Sequence, residues 1–289
     1  MRYQEPVFRP PSEADSYLVH VTYGCSHNEC DFCAMYLEKR FRVRPHAEVL
    51  EDIAMAARAH PETSKVFLLD GDAMVLGADK LLPVLAALRE AFPNLRRVGA
   101  YSNAPNVLQK SDADLEALRD AGLGILYFGL ESGDEPTLAR VDKGATAAEI
   151  SAAVQRAQRF SIKGSVMGLL GIAGRERWEE HADATARVVS AMSPRFFSLL
   201  TVTPVPGTRL HESVESGALT LPDSHETLEE LERIVSGLDC RGTIFRCNHA
   251  SNYLPLKGRL PQDKDRLLEA VGAARRGEIE LKPEWLRGL

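Results

Sequence analysis

Three cysteines near the start of the chain are the residues whose type and spacing are best suited to chemistry. Cys25, Cys30 and Cys33 lie within nine residues, separated by four and then two residues. Thiolates spaced this closely typically bind iron–sulfur clusters. The two other cysteines, Cys240 and Cys247, lie near the far end of the chain, so the loop itself provides three thiolates. A four-iron cluster held by three thiolates keeps one iron open, and a catalytic metal needs such an open coordination position.

A structural zinc site is the alternative for this loop. Zinc in structural sites takes four ligands, and His27 or His20 would complete a set of three cysteines. A chain of 289 residues with 44% hydrophobic residues is large enough to build its own apolar core. Since such a chain does not need a zinc ion to hold it together, we favour the catalytic cluster.

The segments that must position this loop alternate between short apolar runs and amphipathic stretches. The first predicted strand, 17–21, leads directly into the cysteine loop. Helical patterns separate the later strands, for example where Thr146 and Glu149 form a capping-box signature. Strands that alternate with helices indicate an α/β fold with a parallel sheet. Further strands are predicted at residues 65–69, 97–101, 124–129, 163–170 and 196–202.

Polar or glycine-containing turns follow the predicted strands on the side that precedes the next helix. In a barrel of βα units the carboxyl ends of the strands meet at one mouth, where catalytic residues collect. The pattern therefore favours an incomplete (βα)6 TIM-type barrel, although an open doubly wound sheet has the same alternation. Besides the cysteine loop, these turns are 70–72, 102–103, 131–132, 174–176 and 203–207.

The alternation of strands and helices stops after about residue 215. The remaining segment has too few apolar residues to form its own core, so we expect it to pack on the barrel. The chain is accordingly divided into an N-terminal arm (1–16), a partial barrel (17–215) and a C-terminal extension that closes the barrel (216–289).

Composition and charge exclude several classes of protein. The hydrophobic share rules out a disordered chain, and five cysteines in so long a chain do not make a disulfide framework. The net charge of −6 argues against a general affinity for nucleic acid or for a membrane surface. No apolar stretch is long enough to span a bilayer, and residues 1–15 lack the apolar core of a signal peptide. We therefore expect a cytoplasmic protein without a nucleic-acid or membrane partner.

The cysteine loop, with the aromatic Phe32 just before its last cysteine, resembles that of the radical S-adenosylmethionine (SAM) superfamily. Later motifs resemble the same family in the same order over about residues 17–215, in particular the branch with oxygen-independent coproporphyrinogen oxidases and methylthiotransferases. Two features depart from the family pattern: four residues rather than three separate the first two cysteines, and an acidic turn replaces a Gly-Gly-Glu motif. The matching motifs are Leu69-Asp-Gly-Asp-Ala73, Phe128-Gly-Leu-Glu-Ser-Gly133, Arg140-Val-Asp-Lys-Gly144, Leu170-Gly-Ile-Ala-Gly-Arg-Glu176 and Pro204-Val-Pro-Gly-Thr208.

The resemblance implies a role for each of these segments. Cys25, Cys30 and Cys33 would ligate three irons of a [4Fe–4S] cluster, and the amine and carboxylate of SAM would chelate the fourth iron. Phe32 would lie against the adenine ring. Surface solvation is the alternative for Glu131, Arg140 and Lys143. The further contacts implied are Gly71 and Asp72 to the SAM ammonium, Ser102 and Asn103 to cofactor or substrate, Glu131 to the ribose or the ammonium, Arg140 and Lys143 to the carboxylate, and Gly171 and Gly174 to adenine.

A polar segment outside the predicted barrel, residues 244–257, is the candidate substrate contact. It combines hydrogen-bonding side chains with apolar flanks, as a pocket lining does, while a turn with local side-chain caps is the alternative. Cys247, Tyr253 and His249 are the candidate catalytic residues, the first two as hydrogen-atom donors to a product radical. For Cys247 the alternatives are a buried structural thiol or, with Cys240, a second cluster that would fall short of four thiolates. The substrate-binding candidates are Asn248, His249, Ser251, Asn252 and Tyr253.

The leading hypothesis is a radical SAM enzyme. It would reductively cleave SAM to a 5′-deoxyadenosyl radical that abstracts hydrogen from a small or medium-sized metabolite, while the protein supplies orientation and excludes water. An electron donor such as flavodoxin or ferredoxin is implied. The alternatives are a tRNA-modifying radical SAM enzyme and, from another class, a zinc-stabilised barrel for binding or hydrolysis.

Overall fold

Strands and helices alternate along the chain in the structure, a computed structural model that describes residues 2–288. The strands are β1 (Tyr17–His20), β2 (Thr22–Tyr23), β3 (Arg42–Val43), β4 (Lys65–Leu69), β5 (Arg97–Tyr101), β6 (Leu123–Glu131), β7 (Lys163–Leu170), β8 (Phe196–Thr201), β9 (Ile244–Cys247) and β10 (Leu256–Arg259). The helices are α1 (His46–Ala59), α2 (Ala78–Ala91), α3 (Ala104–Leu108), α4 (Asp112–Asp120), α5 (Glu135–Arg140), α6 (Ala147–Arg159), α7 (Trp178–Met192), α8 (Arg209–Glu215), α9 (Ser224–Gly237) and α10 (Lys264–Arg275).

One sheet contains eight of these strands in the order β1-β4-β5-β6-β7-β8-β9-β10, and β2 and β3 form a separate two-stranded sheet. The pairs β1–β4, β4–β5, β5–β6, β7–β8 and β8–β9 are parallel, and β9–β10 is antiparallel. Helices connect the parallel strands, as parallel pairing requires. The predicted α/β fold with a parallel sheet is therefore confirmed.

The six predicted strands are all present, and β4, β5 and β7 have the predicted bounds. The sheet is nevertheless larger than the six predicted βα units, because the C-terminal segment contributes β9 and β10. Polar side chains weaken the strand pattern there: residues 240–253 were predicted as a strand or an extended loop, and β10 lies outside that range.

Two compact units divide the chain. The first contains residues 2–28, Met35–Phe128 and Ala153–Gly164, and the second contains Glu29–Ala34, Gly129–Ala152 and residues 165–288. Each unit combines segments that are distant in sequence. The division into an arm, a barrel and an extension at residues 16 and 215 stays a prediction.

In the first unit, apolar stripes on the helices pack against strands that are buried along their length. β4 buries four of its five residues, as expected for a strand covered on both faces. α1 buries Val49, Ile53 and Ala56, which recur at helical spacing on one face. Each large aliphatic side chain buried in this way stabilises the fold by about 1.5–3 kcal/mol.

The N-terminal segment contributes one buried charge to the first unit. Glu13 is 0% exposed and accepts hydrogen bonds from Arg97 Nη2 at 2.6 Å, from Ser16 and from Tyr127. Burial, together with the bond to Glu13, raises the pKa of Tyr127. The segment before β1 is thus attached to β5 and β6 through a buried carboxylate.

In the second unit, α7 and α9 pack side by side, and Arg233 on α9 forms a bidentate pair with Asp183 on α7 at 2.7 and 2.9 Å. A separate apolar cluster in this unit contains five buried residues: Val141, Ile172, Val202, Leu210 and Leu219.

Within residues 2–288, none of the helices has both the length and the apolar content needed to span a bilayer.

Candidate active site

The first unit holds Cys25 in a turn beside the end of β4. The Gly71 N–H donates to the Gly24 carbonyl at 3.1 Å, and Gly24 has a φ of +73°, which favours glycine. A Cβ on Gly71 would lie 2.9 Å from Cys25 Cβ and 2.7 Å from the Tyr36 ring, inside normal contact distance. The missing side chain at Gly71 therefore lets the strand end approach the cysteine turn.

Asp70, which was not among the predicted site residues, anchors the same turn. Its fully buried carboxylate accepts hydrogen bonds from the Gly24 N–H at 3.0 Å and from Lys39 Nζ at 3.2 Å. The other carboxylate oxygen lies 3.2 Å from Nε2 of His20, the alternative zinc ligand. Hydrogen bonds to charged groups are among the stronger ones in proteins. The sequence signals for Asp70 were its place at the end of a predicted strand and within the Leu69-Asp-Gly-Asp-Ala73 motif.

Asp72 gathers hydrogen-bond donors from the cysteine loop and from the end of β5. Its carboxylate accepts from Ser26 Oγ at 2.6 Å, from Asn103 N and Nδ2 at 3.2 Å each, and from Asn106 Nδ2. Three of these hydrogen bonds share Oδ2 and one goes to Oδ1, so the carboxylate is held mainly through one of its two oxygens. Burial raises the pKa of Asp72, and the hydrogen bonds from Ser26, Asn103 and Asn106 oppose this shift.

Asn103 links Asp72 to the first cysteine. Its Nδ2 atom lies 3.9 Å from Cys25 Sγ and 3.3 Å from Ser26 Oγ. The hydroxyl of the buried Ser102 donates to the Asn103 carbonyl at 3.2 Å. The structure thus brings together Cys25, Asp72 and Asn103, three predicted site residues that follow three separate strands.

Cys30 and Cys33 belong to the second unit, where Asp31 anchors the loop between them. The Cys33 N–H donates to the Cys30 carbonyl at 3.0 Å. The Asp31 N–H donates to the Val141 carbonyl at 2.9 Å, and its carboxylate pairs with Arg209 Nε at 2.6 Å. Neither Asp31 nor Arg209 was among the predicted site residues, although Arg209 directly follows the Pro-Val-Pro-Gly-Thr motif.

Glu131 and Lys143 form a mostly buried ion pair in the second unit. Their Oε1 and Nζ atoms are 2.8 Å apart, and the side chains are 10% and 12% exposed. Glu131 has a φ of +63°, which is uncommon for a residue with a side chain. A Cβ on Gly129 would overlap the Glu131 carboxylate, so glycine leaves room for the pair. Lys143 Nζ also lies 6.0 Å from the ring centre of Phe32, which packs against the apolar cluster.

The two glycines after β7 form a turn. Gly171 and Gly174 have φ values of +80° and +71°, and the Gly174 N–H donates to the Gly171 carbonyl at 3.1 Å. A Cβ on Gly171 would lie 3.2 Å from Pro222. The exposed Arg140 donates a hydrogen bond to the Ile172 carbonyl within this turn. Backbone conformation and close packing therefore both require glycine here.

The candidate substrate segment makes hydrogen bonds of its own within the second unit. The buried Asn252 accepts from Thr201 Oγ1 at 3.0 Å and donates to the Leu199 carbonyl at 2.8 Å. Ser251 Oγ accepts from the Thr201 N–H at 3.2 Å and lies 2.9 Å from His249 Nδ1. These bonds are local caps and strand contacts, and a contact of these residues with substrate stays a prediction.

The remaining residues of this segment differ in exposure. Asn248 is exposed, and the Tyr253 hydroxyl donates to Glu284 at 2.7 Å. Burial raises the pKa of Tyr253 to about 12 and that of Cys247 to about 12. Burial also raises the pKa of Cys240. Both C-terminal thiols therefore stay protonated near neutral pH, as buried structural cysteines do.

The five thiols fall into two classes, and none of them is in a disulfide. Cys25, Cys30 and Cys33 are partly exposed, whereas Cys240 and Cys247 are buried. Residues 2–288 contain no group of three or more His, Cys, Asp or Glu side chains able to hold a single metal ion. An iron–sulfur cluster makes a different demand, because each cysteine binds its own iron. Three accessible soft donors in one loop fit such a cluster.

Comparison with known proteins points to one family. The family model described as the Radical SAM superfamily matches residues 19–185, more than half of the 289 residues. The chain is similar to an uncharacterised methyltransferase of Pyrococcus horikoshii, with 23% identity over 206 residues that cover 71% of this chain and 43% of the relative. It is also similar to the heme chaperone HemW of Bacillus subtilis, with 18% identity over 233 residues that cover 78% of this chain and 60% of the relative. The chain thus spans only about half the length of these relatives.

Solved structures show the same fold. Methylornithine synthase (PylB) matches with a TM-score of 0.56 at 15% identity, and the matched region covers 89% of this chain and 69% of the synthase chain. Coproporphyrinogen III oxidase (HemN) from Escherichia coli matches with a TM-score of 0.56 at 17% identity, and the matched region covers 76% of this chain and 51% of the oxidase chain. Likenesses at such identity concern the fold alone. With the strand order of the sheet, they confirm the predicted incomplete TIM-type barrel.

Proposed function

Since the chain belongs to the radical SAM superfamily, we propose that Cys25, Cys30 and Cys33 hold a [4Fe–4S] cluster whose open iron binds SAM. The observation that carries the proposal is that these three thiols are partly exposed, while Cys240 and Cys247 are buried. When bound, the cluster and SAM supply reductive cleavage of the sulfonium to methionine and a 5′-deoxyadenosyl radical, which abstracts hydrogen from the substrate.

In the first unit, side chains around the cysteine turn would orient SAM and the cluster. The SAM ammonium would donate hydrogen bonds to the turn formed by Gly71 and Asp72, whose carboxylate is held in place by Ser26, Asn103 and Asn106. Asn103 would donate to the sulfur of Cys25, and hydrogen bonds to cysteine sulfurs tune the reduction potential of such clusters. Ser102, whose hydroxyl donates to the backbone carbonyl of Asn103, would help to hold Asn103 in place.

In the second unit, a charged pair and a glycine turn would hold the nucleoside and the methionyl part of SAM. Glu131 would accept hydrogen bonds from the ribose or the ammonium, while Lys143 and Arg140 would face the carboxylate. Phe32 would lie against adenine, which is the kind of contact that an aromatic face offers. The turn at Gly171 and Gly174 would allow the adenine edge to approach the backbone.

The substrate would be a small or medium-sized metabolite in contact with the C-terminal segment. Asn248, His249, Ser251, Asn252 and Tyr253 would bind it, and Cys247 or Tyr253 would return a hydrogen atom to a product radical. The protonated state of Cys247 suits that role, because a donor must carry its hydrogen. The reductant would be a flavodoxin or ferredoxin in the cytoplasm.

Anaerobic reconstitution tests the cluster. We expect about four irons per chain and absorption near ~400 nm. Replacing Cys25, Cys30 or Cys33 by alanine should abolish both signals, while Cys240→Ala, which removes a buried thiol outside the loop, should keep them. Incubation of the loaded protein with SAM and a reductant should then release 5′-deoxyadenosine. A colourless protein that binds zinc and no iron would contradict the proposal.

The substrate can be sought through the hydrogen that it donates. Loaded protein, SAM and reductant are incubated with deuterated cell extract, and deuterium in 5′-deoxyadenosine is followed by mass spectrometry. We expect His249→Ala and Asn252→Ala to abolish this transfer and to leave uncoupled SAM cleavage in place. An equal loss of transfer and cleavage would count against substrate contact by this segment.

A further inference from the structure

A fully buried chain of three polar side chains in the second unit has no role in the chemistry above. Ser132 Oγ lies 2.7 Å from His181 Nδ1, and His181 Nε2 lies 3.0 Å from Glu230 Oε1. All three residues are 0% exposed. The Gly171 N–H donates to both oxygens of Glu230, at 3.1 and 2.9 Å. A carboxylate on α9 thus contacts the end of β7 directly and the end of β6 through His181.

These side chains contact one another on both sides of the imidazole ring. Ser132 Oγ accepts from the Asp134 N–H at 2.9 Å and lies 2.7 Å from His181 Nδ1. On the other side of the ring, Nε2 lies 3.0 Å from Glu230 Oε1, a close contact that is off the line of a straight hydrogen bond. Loss of a partner would leave a buried charge without compensation. We therefore expect Ser132, His181, Glu230 and Gly171 to keep fixed positions relative to one another.

The end of β6 is attached to α7 at a second point. The Gly133 N–H donates to Thr185 Oγ1 at 2.8 Å, and a Cβ on Gly133 would overlap the backbone of Ala184. Two successive residues after Glu131, namely Ser132 and Gly133, are therefore fixed to the same helix. Since Glu131 is the residue at which the backbone turns, with its φ of +63°, these attachments set the direction of its side chain.

We propose that Glu230 is a positioning residue for SAM: through His181 and Gly171 it holds Glu131 and the turn that ends at Gly174 in a fixed relation. This inference rests on the proposed function, in which Glu131 and that turn both contact SAM. Groups that bind one ligand from two strand ends must be held to within about 0.5 Å. One buried carboxylate that bonds to the end of β7 and reaches the end of β6 through His181 meets this demand, and it comes from the C-terminal segment rather than from the strands themselves.

The first test measures SAM binding on the full-length, anaerobically reconstituted protein. We expect Glu230→Ala to keep the iron content of the wild type and to raise the SAM dissociation constant about tenfold or more. Glu230→Gln should raise the dissociation constant less, because its amide oxygen can still accept a hydrogen bond from the Gly171 N–H. If the alanine variant does not fold, the glutamine variant provides the test. Glu229→Gln is the matched control, since Glu229 lies on the same helix in an exposed pair with Arg275.

The second test needs neither cluster nor SAM. Hydrogen exchange of the unloaded protein is compared in peptides covering 128–134 and 168–176. The alanine variant at Glu230 should exchange faster in both peptides, and the control at Glu229 in neither. If exchange rises only within α9 and SAM binding is unchanged, Glu230 merely stabilises its helix and the inference is wrong. If the wild type binds no cluster or SAM, the proposed function fails instead, and the exchange data still decide whether Glu230 couples the two strand ends.

Discussion

Replacing Gly71 by alanine tests whether the end of β4 positions the cysteine turn. The new Cβ would lie 2.7 Å from Tyr36 Cε2 and 2.9 Å from Cys25 Cβ. Carbon atoms in contact normally stay about 3.5–4.0 Å apart, so something must move by roughly 0.5–1 Å. Tyr36 is only 3% exposed, and its ring has no solvent to swing into. We therefore expect the Cys25 turn to move.

The size of the effect follows from this overlap. Overpacking of a well-packed site costs about 1–3 kcal/mol of unfolding free energy. For a chain of this size, that corresponds to a fall in Tm of roughly 2–10 °C. Displacement of Cys25 should also lower the iron content after anaerobic reconstitution, because a misplaced thiolate binds its iron less well.

The assay compares Gly71→Ala with Gly272→Ala, a matched control in α10. A Cβ at Gly272 would meet only the end of the Arg276 side chain, at 3.2 Å. Since alanine is favoured over glycine in a helix by about 0.5–1 kcal/mol, this control should keep or raise the Tm and keep its iron. Thermal unfolding of the unloaded proteins and iron analysis of the reconstituted ones provide the data. If Gly71→Ala melts and loads iron like the wild type, the contact between Gly71 and Cys25 does not hold the turn and the reasoning is refuted.

Three further outcomes can be checked on the unloaded protein. Lys143→Met leaves the mostly buried Glu131 carboxylate without its cation at 2.8 Å, and urea unfolding should show a loss of about 3 kcal/mol that Lys143→Arg partly restores. A thiol reagent at about pH 8 should modify the three loop cysteines quickly and Cys240 and Cys247 only after unfolding; equal rates for all five would contradict this. Burial raises the pKa of Cys247 from 9.0 to about 12, so the unfolded chain loses this proton first and the protein should lose stability as the pH rises over that interval. Cys247→Ala should lose less over the same interval, as measured by urea unfolding at each pH.

The parts of the fold that were predicted correctly depend on local sequence patterns. The bounds of β4, β5 and β7 were correct because buried parallel strands are short apolar runs between polar turns, a pattern that lies within a few residues. β9 was not distinguished from an extended loop and β10 was not predicted, since the strand character of both depends on pairing: β9 pairs with β8, and β10 pairs with β9. Which neighbour supplies the ladder hydrogen bonds is not a local property.

The same distinction applies to the candidate site. Cys25, Asp72 and Asn103 were selected from strand ends, and they lie together in the structure. Asp70 and Glu230 were not selected, because what makes them important is a partner far away along the chain. Asp70 accepts a hydrogen bond from Lys39, 31 residues earlier, and Glu230 accepts one from Gly171, 59 residues earlier.

The amino-acid sequence alone determined the donor chemistry: three thiols in one loop, a chain large enough to have its own core, and strand ends rich in polar groups. Covalent spacing and local periodicity are sufficient for these conclusions. Tertiary structure decided which partners those groups have. Asp72 accepts hydrogen bonds from Ser26 and Asn103, and Glu131 pairs with Lys143, because only the folded chain brings these buried groups within hydrogen-bonding distance.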